Sequence, residues 1–284
     1  MAIMESFQFT QANLQDFVDC RRRFQLRYLL RRAWPAIESE PVLENERIMK
    51  EGALFHRMIQ QHLNGIPAER LAEMTQGEDL ARWWENYRTQ AAELPGLSEI
   101  EALNTRRYPE VNLSATLDGF SLLAKCDLVV VAPDGRGIII DWKTSRRRPK
   151  RKDLFTRLQT RLYPYILTKA GAHLNQGQPF QPEQVEMVYW FADFPAQPER
   201  FAYSAGQLQD DEATLHGLIT EIQRLGETEF PMTDEVERCR FCVYRSLCDR
   251  GVEAGRLQEN EPETEAAVGA GLDFDFEQIG EIEF

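Results

Sequence analysis

Residues 120–143, FSLLAKCDLVVVAPDGRGIIIDWK, decide the fold. Two apolar runs flank Pro133, Asp134, Gly135 and Arg136, a turn-forming cluster that predicts an antiparallel hairpin. Folding back about positions 134 and 135 brings Asp127 opposite Asp141 or Trp142. Side chains alternate along a strand, so Asp141 and Lys143 share a face. Ile138, Ile139 and Ile140 precede Asp141, so a buried apolar strand delivers a polar triplet at its end, where a rigid scaffold can present a site. Two carboxylates and an ammonium are thereby predicted to converge at one end of the hairpin.

Upstream of the hairpin, Thr10 is a predicted cap for a helix bearing Leu14, Phe17, Val18 and, past an arginine run, Phe24 and Tyr28, with Cys20 inside it. A second helix, from about Glu46 to Asn64, places Phe55, Met58, Ile59, His62 and Leu63 on one apolar stripe with His56 beside it. A helical stretch around Trp83 to Ala92 follows, then two strands, Glu101 to Tyr108 and Leu113 to Leu117. Downstream, a helix from near Asp153 carries Phe155, Leu158, Leu162, Tyr165 and Ile166, while Gln159 and Tyr163, four apart, share a neighbouring face. Val185 to Asp193 and Arg200 to Tyr203 read as strands, and Ser204 caps a helix to about Leu225. Helices and strands in this mixture predict an α/β protein.

At 284 residues, with 43% hydrophobic and 28% charged side chains, the chain can bury a core without disulfide staples. No apolar run reaches the ~18 residues of a membrane span. Met1 to Thr10 lacks the basic and apolar regions of a secretory signal, so the expected compartment is the cytoplasm. There the five cysteines serve as ligands, nucleophiles or core residues rather than as a disulfide framework. The net charge of -13 at first opposes a nucleic-acid partner, but residues 253–284 carry -9 of it. Within the nearly balanced remainder lie two basic runs, one from Arg21 to Arg32 and one of Arg146, Arg147, Arg148, Lys150, Arg151 and Lys152 beyond Lys143. Two segments are therefore expected: a domain over 1–252 and a flexible acidic tail over 253–284.

Asp127, Asp141 and Lys143 have the residue types that phosphodiester hydrolysis requires. A magnesium or manganese ion takes hard oxygen ligands, so two carboxylates hold it and leave sites for phosphate and water. Lysine can orient the attacking water and offset the charge that develops on the phosphate.

In order along the chain stand Phe9 to Leu30 with Cys20 through Phe24, then Glu51, Gly52 and His56, then Asp127, then Asp141, Trp142 and Lys143, then Gln159 and Tyr163, and last Cys239, Cys242 and Cys248. This series resembles the PD-(D/E)xK nuclease superfamily, in particular its RecB-like branch of AddB-type and CRISPR-associated exonucleases with an iron-sulfur cluster. The resemblance implies a restriction-endonuclease-like core, a central mixed sheet flanked by helices, whose N- and C-terminal segments the cluster joins. It implies that His56, Asp127 and Asp141 bind the divalent metal, that Lys143 is catalytic, and that Gln159 and Tyr163 position substrate. It further implies a 4Fe-4S cluster on Cys20, Cys239, Cys242 and Cys248, with tetrahedral zinc as the alternative occupant. Arg21 stands where the family usually has proline. Cys126, on the opposite face from Asp127, is expected to be a small core residue.

The expected function is that of a metal-dependent DNA exonuclease on single strands or duplex ends, in repair, recombination or CRISPR adaptation. The alternative is a noncatalytic DNA-binding or scaffold protein on the same fold. No P-loop is present, so unwinding would fall to a helicase or another DNA-processing partner. The second basic run is expected to track the DNA backbone. The tail ends in acidic residues mixed with Phe274, Phe276, Ile279, Ile282 and Phe284, similar to the tails of bacterial single-strand-binding proteins. It is expected to dock on a repair protein, to fold back over the DNA groove, or to stay disordered.

Overall fold

Strand alternation and helical stripes build a six-stranded mixed sheet between two helical layers. The computed structural model describes residues 6–32, 40–94, 96–97, 105–226 and 230–251. The acidic tail, and with it the boundary between the two expected segments, lies outside these residues.

The chain opens with β1 (Gln8–Thr10) and α1 (Gln11–Asp19), where Thr10 and Asn13 form a reciprocal capping box. The helix expected to run on to Tyr28 instead stops at Asp19. Cys20 adopts an extended backbone, and a short helix α2 (Arg21–Phe24) passes into a π-helical turn at Gln25–Leu29. The break turns Val18 outward, to 46% exposure, and keeps Phe17 and Phe24 in edge-on contact. Helix α3 (Glu40–Leu63) is followed by α4 (Ala68–Ala72) and α5 (Glu78–Gln90).

The two strands expected over 101–117 are one, β2 (Arg106–Leu117), which runs antiparallel to β3 (Phe120–Val131) over its whole length; positions 101–104 lie outside the described residues. The hairpin to β4 (Gly137–Lys143) closes through Gly135 at φ +83°, with the Gly135 N–H donating to the Ala132 carbonyl. The helix expected from Asp153 is split at Arg157, whose extended backbone separates α6 (Arg151–Thr156) from α7 (Leu158–Ala170). Phe155 consequently lies outside the apolar stripe, 45% exposed. Strands β5 (Val185–Phe191) and β6 (Glu199–Ala202) complete the sheet, and α8 (Ala205–Leu225) starts at Ser204, whose hydroxyl accepts the Gln207 N–H.

Strand order is β1-β3-β4-β5-β6, with β2 on the other edge of β3. One face of the sheet packs Val129, Ile139, Met187 and Tyr189 against α7 and α8 through Leu162, Ile166, Leu215 and Ile219. The other packs Leu128, Ile140, Trp142 and Trp190 against α3 and α5 through Phe55, Met58, Trp83 and Tyr87. No helix among the described residues is long and apolar enough to cross a membrane.

Candidate functional site

The site begins as a defect in the sheet. Strands β2 and β3 keep one register from Arg106 opposite Val131 to Leu117 opposite Phe120, but Glu110 and Asp127, which face each other, are left out of the ladder. Glu110 has φ +52°, a left-handed conformation that a non-glycine residue adopts only where the chain forces it. Alternation changes phase at this level: Cys126 and Val129 face the same core, as do Val111 and Tyr108. Both strands kink together, and both carboxylates leave the ladder at one point.

On the other edge of β3, pairing with β1 reaches Leu123 and pairing with β4 begins at Leu128, so Asp127 sits in the gap between them. Continuing the β3–β4 register places Asp127 opposite Asp141. In place of a ladder partner, Asp127 Oδ2 accepts the Trp142 N–H at 2.9 Å. Its Oδ1 lies 3.2 Å from His56 Nδ1, which α3 brings from the opposite helical layer. Gly52, one turn before His56, allows this approach, since a Cβ there would stand 3.0 Å from Thr144 Oγ1. His56, Glu110 and Asp127 each offer a ligand atom, and the three lie within 4.8 Å of one another.

Burial works against a charged His56, but Asp127, with Asp141 and Glu110 behind it, raises its pKa to about 9. For Asp127, burial acts upward and is overcome by the His56 charge and hydrogen bond, the Trp142 N–H and Lys143, which hold the carboxyl below its usual range. The pair is ionised at neutral pH, and a metal binding there must displace the His56 proton.

Asp141 and Lys143, at the end of β4, are nearly buried, at 4% and 6% exposure. Lys143 Nζ stands 2.5 Å from Asp141 Oδ2 and donates to Gln159 Oε1 at 2.9 Å, while Gln159 Nε2 donates to Asp141 Oδ1 at 2.5 Å. Gln159, on the first turn of α7, therefore closes a three-membered ring of contacts that fixes both strand-end side chains. Tyr189, the β5 partner of Asp141, sets its ring 5.2 Å below Lys143 Nζ. Tyr163 lies one helical turn beyond Gln159 and is buried; burial and the nearby Cys126, Asp141 and Asp127 push its hydroxyl pKa up. Cys126 is fully buried in the core, as expected of a small apolar residue.

His56, Asp127, Asp141, Lys143 and Gln159 are thus brought together, and Tyr163 stands behind them. Glu110 is the residue that sequence reasoning missed. It fell between two strands read as separate; joined into one antiparallel hairpin about Asp118, they would have placed Glu110 opposite Asp127.

The basic run beyond Lys143 is not a row of free cations. Arg146 is ion-paired with Asp79, and Arg148 and Arg151 both pair with Glu199. Arg148 and Arg151 also stack on Phe191 and Phe201. These three fasten the segment after β4 to α5 and β6. Arg147, Lys150 and Lys152 lie exposed beside them.

Cys20, Cys239, Cys242 and Cys248 line one pocket, partly open to solvent, together with Arg23, Arg245 and Arg250. No three of the four sulfurs lie within 4.8 Å of one another. Burial pushes the Cys242 thiol up to about 11, and it raises Cys239 and Cys248 as well. Around the pocket, the Arg22 N–H donates to the Pro231 carbonyl, the Tyr244 hydroxyl to the Arg32 carbonyl, and Arg238 pairs with Asp19. The N- and C-terminal segments therefore meet here.

The model of the PD-(D/E)XK nuclease superfamily matches residues 8–249. Among solved structures, the "Putative exonuclease" from Eubacterium rectale is 14% identical with a TM-score of 0.50, covering 82% of this chain and 87% of its own. The structure of SSO0001 is 15% identical with a TM-score of 0.43, covering 87% of both chains. No curated protein matches the sequence.

Proposed function

Because the chain belongs to the PD-(D/E)XK nuclease superfamily, we propose that it is a metal-dependent DNA exonuclease of the RecB-like branch. Its substrates would be single strands or duplex ends, in repair, recombination or CRISPR adaptation. The observation that carries the proposal is the alignment of Glu110, Asp127 and Asp141 across three neighbouring strands, with His56 at one end and Lys143 at the other.

The donor set fits a magnesium or manganese ion: an imidazole and carboxylate oxygens gathered within 4.8 Å, with a left-handed residue and a side-chain-capped N–H maintaining the gathering. His56, Glu110 and Asp127 would hold the ion, with Asp141 across the strand from Asp127. Such an ion supplies Lewis-acid polarisation of a phosphate oxygen and acidifies a bound water. Lys143, fixed by Asp141 and Gln159, presents an ammonium to the reacting phosphate and offsets its growing negative charge. Gln159 bonds to both neighbours and so keeps Lys143 from turning away. Lys150 and Lys152, exposed at the start of α6, are the members of the basic run best placed to follow the DNA backbone.

The second cofactor proposed is a 4Fe-4S cluster on Cys20, Cys239, Cys242 and Cys248. The four cysteines line one pocket where the N- and C-terminal segments meet, and zinc is the alternative occupant.

The test is strand-resolved digestion of DNA labelled at either end, with magnesium, manganese or chelator. Shortening from an end that requires the metal is expected; intact DNA under all conditions would overturn the proposal.

A further inference from the structure

Arg23 lines the cysteine pocket, and its guanidinium is held from one side. Its Nη2 lies 2.8 Å from Asp16 Oδ1 and donates to Asp19 Oδ2 at 2.6 Å, both carboxylates belonging to α1. Asp16 is buried and also takes Arg27 at 2.7 Å, while Asp19 also takes Arg238. The guanidinium is thereby fixed in orientation. Its Nε, in contrast, is buried and has no hydrogen-bond partner among the described residues. A buried donor left unpaired is costly, so a fold that fixes one in place points to an acceptor that arrives with the pocket's occupant. The other two arginines of the pocket donate elsewhere: Arg245 to the Cys242 carbonyl and Arg250 to the Thr233 carbonyl.

We propose that Arg23 Nε donates a hydrogen bond to a sulfur of the cluster held by Cys20, Cys239, Cys242 and Cys248, and that this contact raises the cluster's reduction potential. The assignment rests on the iron-sulfur reading of this pocket. One-electron reduction adds a negative charge to the cluster, and a fixed cation with an N–H on a sulfur stabilises that product more than the oxidised form. Arg23 is a positioning and tuning residue of the cysteine pocket.

The experiment uses the full chain purified without oxygen. Iron and sulfide are assayed first; wild-type protein that carries zinc and no iron overturns the cluster reading, and the Arg23 assignment falls with it. With iron present, dithionite-poised titrations followed by electron paramagnetic resonance compare wild type, Arg23→Gln and Arg23→Lys. The midpoint is expected to move to more negative potential in Arg23→Gln and by a smaller step in Arg23→Lys, which keeps the charge against Asp16 and Asp19 but loses Nε. Equal midpoints at full iron content overturn the assignment while leaving the cluster intact. Should Arg23→Gln not fold, 15N-arginine-labelled wild type supplies the answer: pulsed resonance of the reduced cluster is expected to show a nitrogen coupling that Arg23→Lys lacks. Absence of that coupling overturns it as well.

Discussion

The hairpin centre and the cysteine pocket gather donors in opposite ways. In the first, hard donors are drawn within 4.8 Å by a paired kink in two long strands, locked by backbone hydrogen bonds on both sides. In the second, soft donors hang on a helix break at Cys20 and on short turns between 239 and 248, with no sheet between them. The sheet builds the first site whether or not a metal is present. On the cluster reading, the occupant of the second adds a link between two chain segments, so loss of the two proposed cofactors is expected to have different consequences.

The largest expected effect is at the hairpin. Asp127→Asn keeps an acceptor for the Trp142 N–H but loses the charge, and Asp141→Ala removes the anchor of Lys143; each is expected to lower cleavage by roughly a thousandfold or more. Circular dichroism should remain that of wild type. Cleavage within tenfold of wild type would break the assignment.

Cys242→Ala is expected to do the reverse, losing the iron chromophore and lowering the unfolding temperature by roughly 5 °C, the shift about 3 kcal/mol produces in a chain of this size. Chelation of the catalytic metal is expected to abolish cleavage with little change in unfolding temperature. Equal destabilisation by both treatments in scanning calorimetry would erase the contrast between the two sites.

Glu110→Gln is expected to weaken manganese binding by at least about tenfold, a loss that even outer-sphere partners of a metal can cause. Unchanged affinity by calorimetry would return Glu110 to its ion pair with Lys125 alone. The raised pKa of His56, about 9, adds a pH dependence: below it the metal competes with a proton, so affinity rises with pH, by up to about tenfold per unit, and levels off above. In metal-free protein the same shift stabilises the fold fully below pH 6.5, and that contribution is lost as pH rises through about 9. A flat affinity profile, with no proton release between pH 6 and 9, would contradict it.

The smallest effect is expected from Lys150→Ala with Lys152→Ala, which should weaken DNA binding alike for all sequences and reduce the salt slope by about two. Arg148→Ala should instead lower stability, since it leaves the nearly buried Glu199 with one partner fewer.

The hairpin was legible because turn chemistry and alternation are local, and the turn at Pro133 to Arg136 set its register to within one residue, Asp141 or Trp142 opposite Asp127. Helix breaks at Cys20 and Arg157 were not, because apolar spacing continues across both and only tertiary contacts turn Val18 and Phe155 outward. Glu110 escaped for a related reason: its kink interrupts the alternation that would have joined Arg106 to Leu117 into one strand. The ion pairs of Arg146, Arg148 and Arg151 were hidden because Asp79 and Glu199 lie far away in sequence.

The central claim is that the hairpin carboxylates hold the ion while Lys143 acts on the reacting phosphate. Manganese binding and DNA digestion measured side by side on wild type and Lys143→Ala test it most directly. The variant is expected to bind manganese as wild type does and to leave end-labelled DNA intact. Digestion at the wild-type rate by Lys143→Ala would contradict the claim.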